Sequence, residues 1–191
     1  NAIQSFYNAG CRYLQLDDTS WIDFVSEERI TAVVEKEGQD VQTIIKRRVT
    51  CINDVIADKP DDLLITMHIC RGNFKSTYIT SGGYDHFSDA IFSELHVDGL
   101  FLEYDDQRSG DFEPLKSFNR PNLTVVLGLF TSKFPELENP DAIKARINEA
   151  SKFIPLENLA LSPQCGFGST EEGNLLTEED QWNKIKHVVN I

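Results

Sequence analysis

The sequence contains no apolar run near the ~20 residues that a membrane-spanning helix needs. It also has no leader pairing a basic start with an apolar core and a small-residue cleavage site. Basic side chains are scarce, with 18 Lys and Arg against 31 Asp and Glu and a formal net charge of −13. That balance excludes a protein built to grip nucleic-acid phosphates, which requires clustered Lys and Arg. A glycine-rich phosphate turn after an early strand is missing, which argues against a dinucleotide-binding fold. Cysteines number four, and without a secretory signal they disfavour a disulfide framework. Repeats, low-complexity tracts and linkers are absent as well, so residues 1–191 read as one domain. The expectation is a soluble, cytoplasmic protein with neither nucleic acid nor membrane as partner.

Apolar residues are present in strength, at 40% of the chain, enough for a sizeable core. The chain opens on Asn1 with Ala2, Ile3, Phe6, Tyr7 and Ala9 in helical spacing, closed by Gly10. A helix that begins in its middle leads us to expect a segment of something longer. Five strand signals follow, at Tyr13–Asp17, Leu63–Cys70, Gly99–Glu103, Thr124–Phe130 and Leu159–Cys165. Helical patterns separate them, at Ser26–Asp58, Tyr84–His96, Asp111–Phe118, Pro140–Phe153 and Thr177–Val189, the last opened by a capping box from Thr177 to Asp180. Strands alternating with helices imply a parallel sheet. A doubly wound sheet and a (β/α)8 barrel both satisfy that rule. Strand after strand ends in a chemically able residue (Asp17, His68 with Cys70, Glu103, Cys165), which is the habit of barrel enzymes. The fold expected is therefore α/β, the C-terminal portion of a barrel, about strands four to eight.

His68-Ile69-Cys70 is the strongest local signal. On a strand, positions two apart share a face, so imidazole and thiol converge while Ile69 packs behind. Both are zinc-ligand types; the competing reading is a core cysteine beside a satisfied histidine. Cys165 ends another strand and leads into the turn Gly166-Phe167-Gly168. Glu103 closes an apolar strand, where a carboxylate needs a partner or a metal. His68, Cys70, Glu103 and Cys165 together make a sensible zinc set. Cys11 and Cys51 read as buried small apolar residues and His187 as solvent-facing. His96 reads as structural, while His86 could overhang the site. Asp17-Asp18 at a barrel mouth suits an ammonium-bearing substrate, acid–base work or simply a helix cap. Arg71–Phe74 and Ser81–Tyr84 read as a loop able to move over a site. Arg108 either binds an anion or balances the acids around it.

The segments Gln15-Leu16-Asp17, Met67–Cys70, Leu102-Glu103 and Ser162–Phe167 together resemble the catalytic barrel of cobalamin-independent methionine synthases. The shorter, single-barrel bacterial relatives are the nearest in kind, and the similarity runs in order along essentially the whole chain. The resemblance implies a methyltransferase in which zinc is held by His68, Cys70, Glu103 and Cys165. It implies homocysteine as acceptor, methionine as product, and Asp17 as the group that meets the substrate ammonium. In the large synthases a histidine after the penultimate barrel strand is thought to deliver a proton to the folate. The matching stretch here, Gly128–Lys133, has none. Lys133 or His86 could replace it, or the donor could be a methyl-corrinoid in place of methyl-tetrahydropteroylglutamate. A barrel methyltransferase acting on another thiol, a non-catalytic zinc-binding fragment and a uroporphyrinogen-type decarboxylase are the remaining readings. The N-terminal half of the barrel is an expected partner of this segment.

Overall fold

The computed structural model describes residues 2–191. Five parallel strands form one sheet: β1 (Tyr13–Asp17), β2 (Leu64–His68), β3 (Gly99–Phe101), β4 (Thr124–Val126) and β5 (Leu159–Ala160). Their spatial order is their order in the chain. A doubly wound sheet reverses order partway, whereas a barrel wall does not. The sheet is thus a partial (β/α)8 barrel, as the strand-end residues suggested.

Alternation builds the two faces of this wall. Leu63, Ile65, Met67 and Ile69 are fully buried, while Thr66, His68 and Cys70 turn to the opposite side. Leu100 with Leu102, and Val125 with Leu127, repeat the pattern on the next two strands. Helices α1 (Ala2–Asn8), α2 (Glu27–Glu37), α3 (Val41–Ile56), α4 (Pro140–Ala150) and α5 (Glu178–Val189) accompany the sheet. Ile44, Ile45, Val49 and Ile56 place one stripe of α3 in the core. Register aligns Asp17 with His68 and His68 with Phe101, so the carboxyl ends of neighbouring strands lie level. That alignment gathers the chemically able residues at one edge.

Several elements differ from the sequence expectation. The helix expected across Ser26–Asp58 is two helices, because Gly38 takes a left-handed conformation at φ 67° and Asp40 caps α3 through the Thr43 amide. Tyr84–His96 forms a short 3-10 turn at Asp85–Phe87 and one π-type turn at Ala90–Glu94. There Leu95 N–H donates five residues back to the Ala90 carbonyl. Asp111–Phe118 holds only a 3-10 turn, Glu113–Ser117, entered through Pro114. Cys51 is exposed, not buried, since it lies off the apolar stripe of α3. His187 is half-buried, its ring edge-on to Phe130 at 5.8 Å and its Nε2 bonded to the Glu138 carbonyl at 2.7 Å. It does not face open solvent.

Gly128 follows β4 with φ 61°, and a Cβ there would stand 1.9 Å from the Leu102 carbonyl oxygen. The backbones after β3 and β4 approach this closely only because no side chain intervenes. Gly128→Ala should therefore destabilise the fold by at least ~2 kcal/mol, combining left-handed strain with overpacking. The midpoint of denaturant unfolding checks this, and an unchanged midpoint would contradict the close approach.

Candidate metal centre

Four side chains from the carboxyl ends of three strands, β2, β3 and β5, converge. The ligand atoms of His68, Cys70, Glu103 and Cys165 all lie within 4.8 Å of one another. His68 ends β2, Cys70 lies two residues past it on the same side, and Glu103 lies two residues past β3. There the ladder continues through Leu102 N–H to the Val126 carbonyl at 2.9 Å. Cys165 follows β5 and the parallel bridge that pairs Phe130 with Pro163.

Glu103 is the hub and is fully buried. Its Oε1 lies 3.1 Å from His68 Nε2, which donates to it when the imidazole is doubly protonated, and accepts from the Cys165 thiol at 3.2 Å. Its Oε2 accepts from the Arg71 backbone N–H at 3.0 Å. Burial pushes the carboxyl pKa up, but the hydrogen bond from His68 and the positive charge of Lys133 outweigh it, and Glu103 is held below the usual carboxylate range. Around it, Arg108 pairs with Asp105 at 2.7 Å and Asp106 at 3.3 Å, so Arg108 balances acids at this rim. The Tyr84 hydroxyl accepts from the Glu103 backbone N–H at 2.9 Å.

Asp17 does something the sequence did not disclose. Its Oδ1 accepts from His68 Nδ1 at 2.7 Å, which leaves Nε2 turned toward Glu103 and the sulfurs. A carboxylate on the outer nitrogen is the usual device for fixing a ligand histidine's tautomer and ring orientation. The Asp17 side chain is still 66% exposed, so its second oxygen faces the open side of the site. The signal was present in register: Asp17 and His68 are paired residues of adjacent strands.

The two thiols behave as a pair. Proximity to the Cys165 thiol lowers the Cys70 pKa to about 7, while burial and the nearby Glu103 act against that fall. Cys165, which keeps the proton, is pushed up. Burial would lower the His68 pKa, but the bond to Glu103 and the surrounding negative charge raise it. Two thiols, an imidazole and an ionised buried carboxylate are a donor set that suits a tetrahedral zinc ion, and soft sulfur disfavours magnesium or calcium. The residues fit the metal.

Of the two proton-donor candidates, Lys133 is at the cluster. It is buried, its Nζ donates to Gln164 Oε1 at 2.6 Å, and its charge acts on both Glu103 and Asp105. His86 lies elsewhere: its partner is Glu27 of α2 at 3.7 Å, and it lines a groove with Gln42 and Lys46 of α3. Lys133 also lines a cavity of about 670 Å³ walled by Tyr78, Phe134 and Leu137. The segment after β5 is tied down over this region. Asn73 Nδ2 donates to the Gly166 carbonyl at 2.9 Å, and Asn174 Nδ2 donates to Asn73 Oδ1 at 2.8 Å and to the Ser132 carbonyl at 3.0 Å. No helix among the described residues is long and apolar enough to cross a membrane.

A parallel barrel wall with a candidate thiol-rich ligand set at the carboxyl ends of its strands defines an α/β protein with the partial-barrel fold, whose strand ends are where barrel enzymes place their reactive groups. The chain belongs to the family described as the cobalamin-independent synthase catalytic domain, whose model matches residues 1–180. It is 60% identical over 190 residues to YxjH, an uncharacterized protein of Bacillus subtilis (strain 168), covering 100% of this chain and 50% of YxjH. It is 25% identical over 169 residues to the 5-methyltetrahydropteroyltriglutamate–homocysteine methyltransferase of Blochmanniella pennsylvanica (strain BPEN), 87% of this chain and 19% of that one. Among solved structures, a Listeria monocytogenes protein assigned as a vitamin-B12 independent methionine synthase matches with a TM-score of 0.77 and 48% identity. That match covers 99% of this chain and 50% of the other. A B12-independent methionine synthase from Shewanella sp. W3-18-1, in complex with selenomethionine, shares the fold at TM-score 0.67 and 17% identity, over 97% of this chain and 49% of that one. The chain therefore spans about half the length of YxjH and of both solved structures.

Two outcomes follow from the geometry. Cys165→Ser should abolish stoichiometric metal binding by elemental analysis, since Cys165 is one of only two sulfur donors in the set; one zinc retained per chain would contradict it. Zinc affinity, read by chelator competition, should fall steeply as pH drops below about 7. Protons then occupy Cys70, and the raised pKa of His68 makes it a competitor too. An affinity flat between about pH 8 and about pH 6 would contradict that coupling.

Proposed function

We propose that this chain carries the zinc- and thiol-handling part of a methyltransferase that moves a methyl group from methyl-tetrahydropteroylglutamate to homocysteine, giving methionine. The observation that carries this reading is the convergence of His68, Cys70, Glu103 and Cys165 at strand ends, in a chain of this family. A zinc ion on those four residues would acidify the substrate thiol and hold its sulfur as a nucleophile at neutral pH.

The chain's own groups set up the rest. Asp17 offers its open carboxylate oxygen to the homocysteine ammonium while its other oxygen keeps the His68 ring in place. The substrate thiol gives its proton to solvent, and its sulfur attacks the methyl carbon in line. The sulfur–carbon bond forms as the carbon–nitrogen bond breaks, and the electron pair stays on the donor nitrogen. Lys133, buried beside the cluster and lining the cavity, passes that nitrogen a proton from its ammonium and is reprotonated by solvent. The cavity is walled by Tyr78, Phe134 and Leu137 together with the carboxylates of Asp105, Asp106, Glu136 and Glu138. Its volume, about 670 Å³, lies within the range of small-molecule sites.

A methyl-corrinoid donor is favoured by one observation, the lack of a histidine in Gly128–Lys133. Departure of a methyl group from cobalt leaves reduced cobalt and calls for no proton.

The remaining strands of the barrel belong to this proposal. Among the described residues β1 and β5 each pair with one strand, and Tyr13 on the inward side of β1 is half exposed. We place the N-terminal half of the barrel against those edges, so that the 191 residues act as one domain-segment of a closed barrel. A soluble cytoplasmic enzyme is consistent with the net charge of −13 and with four cysteines that form no disulfide among the described residues.

In the complete barrel, Asp17→Asn should raise the KM for homocysteine about tenfold or more, because an exposed carboxylate–ammonium contact loses its charge. The amide oxygen can still accept from His68, so the zinc content should hold. Steady-state kinetics with elemental analysis check both, and an unchanged KM would remove Asp17 from the substrate's ammonium.

A further inference from the structure

Lys133 occupies a demanding position. A lysine that is 2% exposed has surrendered most of its hydration and must be held by something specific. What holds it is an amide. Gln164 Oε1 accepts from Nζ at 2.6 Å, across 31 residues of chain. The two loops that carry them are joined just upstream by the parallel bridge between Phe130 and Pro163. Within the Lys133 turn, its own backbone N–H donates to Thr131 Oγ1 at 3.2 Å. Burial raises the Asp105 carboxyl pKa, and a hydrogen bond from the same Gln164 side chain works against that rise, so Gln164 links Lys133 to that acid.

The location turns a packing contact into a functional one. Gln164 directly precedes the ligand Cys165, and Lys133 lines the cavity of about 670 Å³ with Tyr78 and Phe134. The bond between them therefore sets an ammonium that lines the cavity and whose charge acts on Glu103 of the cluster. Without it, a four-carbon side chain has several rotamers that point elsewhere.

We propose that Gln164 is the positioning residue for Lys133: its amide oxygen fixes the ammonium at the atom that loses the methyl group. This rests on the reading above that Lys133 protonates a donor nitrogen, and it adds the residue that makes that proton transfer geometrically competent. Gln164 itself touches neither thiol nor methyl group.

The test uses the complete barrel, zinc-loaded, with homocysteine and methyl-tetrahydropteroylglutamate as the probe donor. Gln164→Met keeps length and removes the oxygen; Gln164→Glu keeps an oxygen in place. Gln164→Met should lower kcat at least tenfold with homocysteine KM and zinc content unchanged, and Gln164→Glu should recover most of that loss. Lys133→Met should lose at least as much as Gln164→Met. If Lys133→Met is impaired while Gln164→Met matches wild type, the positioning role is overturned. Loss of zinc or a raised homocysteine KM in Gln164→Met would show a merely structural contact and overturn it too. Undiminished turnover in Lys133→Met, or a wild type that uses methylcobalamin alone or neither donor, would instead sink the underlying reading, and the positioning role with it.

Discussion

A single buried carboxylate organises this protein's reactive edge. Glu103 has no exposure to solvent, yet it stays ionised because every oxygen is answered: His68 and Cys165 on one, the Arg71 backbone on the other. Burying an anion is tolerable only with such compensation. The compensation comes from β2, the loop after β2 and the segment after β5. One charge therefore ties three parts of the barrel wall together, and a metal cation would supply further neutralisation at the same point. The surrounding shell follows from this. Asp17 orients His68, Arg108 balances Asp105 and Asp106, and Lys133 adds a positive charge from the far side.

Much of this could be read from sequence where strand periodicity applied. The alternation in Leu63–Cys70 put His68 and Cys70 on one face and their aliphatic neighbours on the other, and the structure keeps that division. Glu103 and Cys165 stood out because a polar residue closing an apolar run needs a reason. Helical content was less legible. A single helix over Ser26–Asp58 overlooked Gly38 and Asp40, whose stop and start signals sit two residues apart inside one continuous amphipathic pattern. Cys51 was misread for want of phase: Ile44, Ile45, Val49 and Ile56 define the buried stripe, and position 51 falls outside it. What remained hidden were contacts between distant residues with no local signature. The bonds from Asp17 to His68 and from Lys133 to Gln164 arise from strand register and loop geometry, which composition does not encode.

Membership of the cobalamin-independent synthase family and half-length coverage of its relatives fit one picture. The strands present here carry the four candidate ligands and an orienting carboxylate, and they end in two open sheet edges. In barrels the reactive groups come from several strand ends, so a site can be divided between halves of one barrel while its metal-binding part lies wholly in one. The proposed division of labour is of that kind, with thiol activation built from these 191 residues and closure of the site completed by the strands beside β1 and β5. Gly128–Lys133 holds no histidine, and the proposed function gives the proton-donor role to Lys133 instead.

The central claim is that His68, Cys70, Glu103 and Cys165 hold a zinc ion that accepts a substrate thiol. X-ray absorption at the zinc edge of the metal-loaded protein, before and after homocysteine, tests it most directly. The account predicts two sulfur neighbours from Cys70 and Cys165 in the first spectrum and three in the second. An unchanged sulfur count with homocysteine bound, or a metal coordinated without sulfur, would contradict it.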